Sequence, residues 1–541
     1  MMATNEQDLR VRLLNTLLTT PHRDLSKVYP VHQDIIRQDP IFYVHLAAWY
    51  ANEGEIRDHK EMFVVNLALS GFDGHRDVGL ALLRDMPPYQ VGRVFDFVKG
   101  KVMRRRVKRA GSTEVVTERR GLFRRAVQRQ VEGEHGFEIV AEKRGLFRNA
   151  PRSMRTEITR YLREREADPD WFDSSVLQAR RAIKRLYASL HIAPSARAQA
   201  ILFDDDPPPD SRLYALKQIA RAQAPAEQAR AIVAHKIPYR VAATIIKHMT
   251  PTVLAALVDR MSPQELINNV GSLKRRGAFD NDDVKAMIEA KLKEAKTDQR
   301  VSAYKAKQAI QAADVPDDVA AKLDAVTEAQ VQAKGAIVRP TALLIDKSGS
   351  MHEAIEIGKQ IGAMLARMCE AELYVYAFDT LGYPINVSNN MLGRVLRRLR
   401  SEPAEVETTL ADWERAMSGI KAGGMTSCGV ALEMMRRKGQ VVEQIIMVTD
   451  EQENANPRFV ETLRRYQADL KVVPQVVFVK TRGALRLLEQ QCRRQGIDFD
   501  AYQFTGDYYA LPNLLPLLTR SSRLDLLLDI MDYPLPKRKA A

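Results

Sequence analysis

The strongest constraint on the fold is a change of hydrophobic period near residue 335. Before it, apolar residues recur at three- and four-residue spacing, as in PIFYVHLAAWYAN (40–52), DHKEMFVVNLALSG (58–71) and PTVLAALVDRM (251–261). That spacing lays a stripe along one side of a helix, and Pro, Gly or Asp punctuates the segments. After AKGAIVRP (333–340), short aliphatic runs take over: TALLI (341–345), ELYVYAF (372–378), EQIIMVT (443–449) and PQVVFV (474–479). Helical patterns at 353–370, 427–437, 456–469 and 483–495 separate them. Near-continuous apolar strands between helices predict a mostly parallel sheet covered on both faces. The first half predicts helix pairs stacked side by side, with a globular bundle as the alternative, and no strand.

A chain of 541 residues is too long for one ordinary core, so two or more domains are expected. Apolar residues at 45% and charged residues at 28% are ordinary for globular protein. The three cysteines, Cys369, Cys428 and Cys492, form no C-x-x-C and predict neither a disulfide framework nor a zinc knuckle; a reducing cytoplasm fits them. The start of the chain lacks a long apolar core, and no run approaches the roughly 20 residues of a membrane span.

The formal net charge of +14 points to polyanion partners, and the position of the charge matters more than its sum. Between Lys101 and Arg129 eleven Lys and Arg face only Glu114 and Glu118. RGLFRR (120–125) returns as RGLFRN (144–149), so Arg120, Arg124, Arg144 and Arg148 flank Phe123 or Phe147. Such arginines could meet phosphates while the rings stack, although packing of each Phe in the core is the plainer expectation. In RRAIKRLYASLHIAPS (180–195), Arg180, Lys184 and Tyr187 fall on one side of a helix and Arg181 and Arg185 on the next stripe, with His191 ending it. DDDPPPD (204–210) cannot continue a helix and predicts a surface loop.

One cluster of oxygen-bearing residues stands out in the second half. Asp346 directly follows TALLI, and Ser348 and Ser350 lie in the turn after it. Asp450 directly follows IIMVT, and Thr426 lies in AGGMTSCGVAL. In an open parallel sheet the carboxyl ends of the strands share one edge, so the five side chains are expected to converge there. Two carboxylates and three hydroxyls make a hard shell that suits Mg²⁺ and leaves it an open position. Lys347, in the middle of the cluster, would work against that cation.

DKSGS, GGMTSCGVAL and VTDE, in this order on alternating strands and helices, resemble the von Willebrand factor A-type domain with its metal-ion-dependent adhesion site. The resemblance covers about 338–535. It implies that Asp346, Ser348, Ser350, Thr426 and Asp450 are the metal ligands, for Mg²⁺ or another divalent cation.

A second resemblance lies upstream. RLYASLHIAPS and IPYRVAATIIKHMTPTVLAALVDRMSPQELINNVGSLKRRGAF (237–279) are similar to the TROVE module of the Ro ribonucleoprotein family. Asn268 and Asn269 stand where that family usually has Arg-Asn. The order, helical module then A-type domain, is also the family's. The resemblance implies an all-α HEAT-like helical-repeat ring over 1–335 and a doubly wound α/β A-type domain over 338–535; PKRKAA (536–541) itself reads as a free basic tail. The resemblance further implies a scaffold, not an enzyme, that binds small structured Y-like RNA on its outer surface and single-stranded 3′ ends of misfolded or defective RNAs in a central hole. His191, Lys184 and Arg185 match the family's stretch near the RNA-binding rim; Arg120, Arg124, Arg144 and Arg148 rest on local charge. An exoribonuclease tethered through RNA is the partner such a scaffold would take.

The competing reading is a metal-dependent protein-interaction scaffold without RNA. An enzyme finds least support, since no G-x-x-x-x-G-K-[ST], H-E-x-x-H or G-x-S-x-G occurs.

Overall fold

The computed structural model describes residues 25–54, 57–108, 127–131, 137–313, 315–333, 335–353, 355–386, 410–481, 483–503 and 523–538. The chain divides into two compact units, one built from His22–Arg260 with Ile530–Ala541, the other from Met261–Asp529.

The first unit is mainly helical. Its helices are α1 (Leu25–Gln38), α2 (Pro40–Glu53), α3 (Arg57–Leu69), α4 (His75–Asp85), α5 (Pro88–Lys99), α6 (Arg152–Ala167), α7 (Pro169–Leu190), the single turn α8 (Ala196–Gln199), α9 (Arg212–Arg221), α10 (Pro225–Ala234), α11 (Tyr239–Ile245) and α12 (Pro251–Arg260). Sequence sets several starts. Asp39 and Asp168 precede a first-turn proline, and each carboxylate accepts the N–H three residues on, from Phe42 and Trp171. Such a cap stabilises a helix by about 1 kcal/mol, and proline loses nothing at a position whose N–H has no helical partner. Consecutive helices pack in pairs, α3 on α4 and α6 on α7, and α5 also lies on α7. Their buried faces carry Tyr43, Tyr50, Phe63, Phe95, Tyr161 and Phe172. Tyr161 donates its hydroxyl to the Met86 carbonyl at 2.8 Å, so this large ring enters the core with its polar end satisfied.

Strands interrupt the half expected to have none. β1 (Lys101–Lys108), β2 (Val127–Val131) and β3 (Phe137–Arg144) form an antiparallel sheet in the order β1-β3-β2, with Lys101 opposite Arg144 and Lys108 opposite Phe137. The basic run that begins at Lys101 is thus partly strand, and residues 109–126, with Arg120 and Arg124, lie outside the described residues.

Residues 530–538 belong to this unit and are held, against the expectation of a free tail from 536; 539–541 lie outside the described residues. Asn52 donates to the Tyr533 hydroxyl at 2.7 Å, and Arg538 meets the fully buried Glu157 of α6 at 2.6 Å. Glu157 also has Arg84 at 3.5 Å and Arg160 at 4.0 Å. Burying a carboxylate is costly unless cations and donors surround it, and Arg538 supplies the closest.

The second unit begins with four helices, α13 (Pro263–Arg275), α14 (Asp282–Glu294), α15 (Ala303–Ala313) and α16 (Asp317–Gln332). The change to alternating strands and helices follows at β4 (Thr341–Asp346), then α17 (Ile355–Met368), β5 (Leu373–Phe378), β6 (Gly382–Pro384), α18 (Leu410–Met417), α19 (Val430–Lys438), β7 (Gln444–Thr449), α20 (Phe459–Leu470), β8 (Gln475–Lys480), α21 (Leu487–Arg494) and β9 (Phe499–Gln503). The break between compact units, at 260/261, therefore lies well before the change of secondary-structure type. Packing explains it: α16 lies against α17, and Lys307 of α15 bridges Asp324 of α16 (3.1 Å) and Glu414 of α18 (2.6 Å).

The sheet runs β6-β5-β4-β7-β8-β9, all parallel except the edge strand β6. β4 is central and every residue of it is buried. Ala342 and Leu344 pack with α19 and α20 in one core layer. Ile345 faces α17 on the other side, where a Cβ on Gly362 would come within 2.6 Å of its side chain. Alternate residues of β4 thus feed two covered faces, which is why its apolar run is unbroken. Among the described residues no helix is long and apolar enough to cross a membrane.

Candidate metal centre and candidate nucleic-acid interface

The metal candidates lie in the second unit. β4 and β7 are parallel neighbours, so Asp346 and Asp450 leave the sheet at the same edge. Asp346 is fixed from two sides: one carboxylate oxygen accepts the Ser348 N–H at 2.9 Å, the other the Thr449 hydroxyl at 2.7 Å. The turn brings the Ser348 and Ser350 hydroxyls within 3.2 Å of each other. Two backbone bonds clasp it to the glycine loop, Gly349 N–H to Gly424 at 3.0 Å and Gly423 N–H to Lys347 at 2.8 Å. Gly424 has φ +85°, and a Cβ there would press on Asp379 at 3.3 Å, so the loop needs glycine. Asn454 completes the clasp by accepting the Thr426 N–H at 2.8 Å, while Asp450 accepts from Gln452 at 3.0 Å. All five predicted residues are in this way carried to one edge by three loops that hold each other.

Burial pushes the Asp346 carboxyl up to about 6, and the Asp450 charge adds to the rise. Two buried carboxylates at one sheet edge raise each other's cost of ionisation, which a nearby divalent cation would relieve. Among the described residues no three His, Cys, Asp or Glu side chains gather around one point. A cation here would therefore rest on Asp346, Asp450 and the hydroxyls of Ser348, Ser350 and Thr426, a donor set that fits Mg²⁺.

Lys347 has a partner of its own. Its ammonium pairs with Asp379, just beyond β5, and lies 4.8 Å from the Tyr383 ring centroid. The Lys347 ammonium in turn holds the Asp379 carboxyl below its usual range, against the upward pull of partial burial. Asp379 is a neighbour of the cluster that motif reading passed over; its signal was an aspartate directly after a β-strand run, the same as for Asp346 and Asp450.

The RNA candidates of the helical unit fare unequally. α7 kinks at Ala179 (φ −145°, ψ 36°), and His191 ends it in the left-handed region at φ 55°. Arg181, Lys184 and His191 are exposed. The Lys184 ammonium lies 5.1 Å from the Phe203 ring centroid. Arg180 is exposed but engaged, donating to the Ile201 carbonyl at 2.8 Å and to Asp205 at 3.0 Å. Arg185 is turned inward and pairs with Asp96 of α5 at 2.6 Å, which makes it a packing residue of α5 and α7. Tyr187, expected on the exposed stripe, is buried, and its hydroxyl is pushed up by burial and by Glu166. Arg144 closes β3. Arg148 is exposed beside Phe147, which is 48% exposed and so not in the core. Lys217 of α9, which no motif marked, reaches the same acidic loop as Arg180.

Among solved structures, this fold is shared with the Ro (RSR) protein of Deinococcus radiodurans, with a TM-score of 0.58 and 14% identity over 95% of this chain and 99% of that one. A von Willebrand factor type A protein from Catenulispora acidiphila matches 36% of this chain and 43% of its own at 11% identity, with a TM-score of 0.23, too low to carry weight. No family model and no curated protein sequence matches the chain.

Proposed function

We propose that the protein is an RNA-binding scaffold of the Ro type, which holds a small structured Y-like RNA and receives single-stranded 3′ ends of misfolded or defective RNAs in RNA quality control or processing. The observation that carries this reading is the shared fold over nearly the whole of both chains, together with the exposed Arg181, Lys184, His191, Phe147 and Arg148 of the helical unit. Cations without buried partners favour phosphate contacts over base-edge readout, so binding is strong in low salt, falls steeply as salt rises and shows little sequence preference. Phe147 offers a face on which an unpaired base stacks, worth roughly 1–3 kcal/mol.

The scaffold cuts no bond itself. An exoribonuclease held through the shared RNA would supply that chemistry. Purification under gentle salt from the source cells, followed by sequencing of protected RNA, tests the reading: one abundant small structured RNA, lost at high salt, supports it, and protein free of RNA counts against it.

The cluster at the sheet edge supports a separate role. Mg²⁺ on Asp346 and Asp450 would keep an open position for a carboxylate of a protein partner, so the second unit serves as a metal-dependent dock. Partner capture that disappears in chelator but survives salt and ribonuclease distinguishes this role from RNA binding.

A further inference from the structure

In the helical unit, three cations surround one carboxylate that belongs to the chain itself. After α7 and α8 the backbone makes a single π-helical turn, Ala200–Asp204, and ends it at Asp205 in the left-handed region (φ 56°). π turns and non-glycine residues at positive φ carry a local cost and concentrate at functional positions. The turn is anchored, since Gln199 donates to Asp204 at 2.7 Å and the Asp206 N–H to the Ala200 carbonyl at 3.0 Å. Three prolines follow at 207–209 and stiffen the exit.

This places the Asp205 carboxylate 3.0 Å from Arg180 and 3.9 Å from Lys217, whose ammonium also binds the Asp205 carbonyl. Lys184 sits over Phe203, two residues away, and its charge adds to those of Arg180 and Lys217 in holding the Asp205 carboxyl below its usual range. Arg180 and Asp205 are 42% and 68% exposed. A pair this open is weak and exchangeable. Arg185, by contrast, pairs with an acid on a neighbouring helix and has no such freedom.

We propose that Arg180, Lys184 and Lys217 form a phosphate site for the RNA backbone, that Asp205 occupies it when RNA is absent, and that RNA must displace this carboxylate to bind there. The inference rests on the RNA-binding reading. A built-in competitor lowers affinity for any polyanion that brings only one or two phosphates. It leaves strands that also engage Arg181 and His191 better able to pay its displacement. The loop is thus a threshold against short or weakly held polyanions.

The test is Asp205→Asn on the full chain, with a labelled single-stranded oligouridylate and binding followed by fluorescence anisotropy over a range of KCl. Asparagine tolerates the left-handed region, so the backbone is kept while the charge goes; Asp205→Gly serves as a second variant with the same backbone freedom. Asp73→Asn, at an exposed acid elsewhere in the unit, makes the same change in net charge. Asp205→Asn should bind about fivefold tighter at low salt and steepen the salt slope by about 0.7, as one added phosphate contact on a single strand requires. Asp73→Asn should leave both unchanged, and Lys217→Gln in the Asp205→Asn background should cancel the gain. If Asp205→Asn matches wild type while wild type binds RNA, or if Asp73→Asn gains as much, the occupied-site inference fails and the RNA reading stands. If neither wild type nor Asp205→Asn binds, both fail.

Discussion

The ammonium of Lys347 is held on the carboxylate of Asp379, so the cation that follows Asp346 in the chain is engaged by an acid of its own. The pair is largely shielded, with side-chain exposures of 17% and 9%. Asp379→Asn would release the ammonium toward the proposed metal residues. Mg²⁺ affinity, measured by titration calorimetry, should fall by about fivefold, about 1 kcal/mol for one charge at close range in water. Lys347→Met in the same background should restore it, and a loss that persists there would show that Asp379 acts otherwise.

Asp346 makes both the turn bond to Ser348 and the strand bond to Thr449, and it is the candidate metal residue most completely buried. Wild-type protein should gain thermal stability on addition of Mg²⁺, by about 2.7 kcal/mol at a hundredfold excess over Kd. Asp346→Asn should lose that gain while RNA binding in low salt stays within twofold or so of wild type. Equal loss of RNA binding by a folded variant would overturn the separation of the two roles.

Neighbouring arginines of α7 should give opposite results. Arg181→Gln and Lys184→Gln should weaken RNA binding and each reduce the salt slope by about 0.7, with stability unchanged. Arg185→Gln should cost about 1 kcal/mol of stability by breaking the pair with Asp96, with a small effect on RNA. Urea denaturation and anisotropy on the three variants decide it.

Burial pushes the Glu61 carboxyl of α3 up to about 8, and Asp58 adds to the rise while Arg93 and Arg57 oppose it. Because its folded value lies above its unfolded value of 4.5, its contribution is fully present below about pH 4.5 and is lost as pH rises through about 8. Unfolding free energy should therefore decline between about pH 5 and pH 8, by up to a few kcal/mol, and Glu61→Gln should flatten that decline. A pH profile unchanged in the variant would rule out Glu61 as its source.

Arg538→Ala should lower the stability of the helical unit by about 1–2 kcal/mol, less than for a fully buried pair because Arg538 keeps some exposure and Glu157 retains Arg84 and Arg160. Protection of the α6 amides from hydrogen exchange is the local readout, and unchanged protection would count against it.

Much of the second unit was legible because a parallel strand buried on both faces leaves an unbroken apolar run. The structure's strands at 341–346, 373–378, 444–449 and 475–480 follow those runs to within a residue or two. β6 and β9 were missed because GYP is too short and FDAYQ too mixed to show any period. β1, KVMRRRVK, reads as a charge run, and only its pairing with β3 makes it a strand. Asp346 and Asp450 could be named because strand ends impose their position, and Ser348, Ser350 and Thr426 because their turns follow the motif order. Arg185 and Asp96, or Arg180 and Asp205, could not be paired in advance: long-range ion pairs depend on how helices dock, which local spacing does not encode.

Glu157 and Arg538 are separated by 381 positions in the chain. At roughly 5–20 residues per second, a ribosome needs from about 20 s to more than a minute to pass from one to the other. A nascent chain thus carries α6 with its buried acid short of its closest cation while the whole α/β portion is still being made. The helical unit is thus completed only after the α/β portion that interrupts it in the chain has been made.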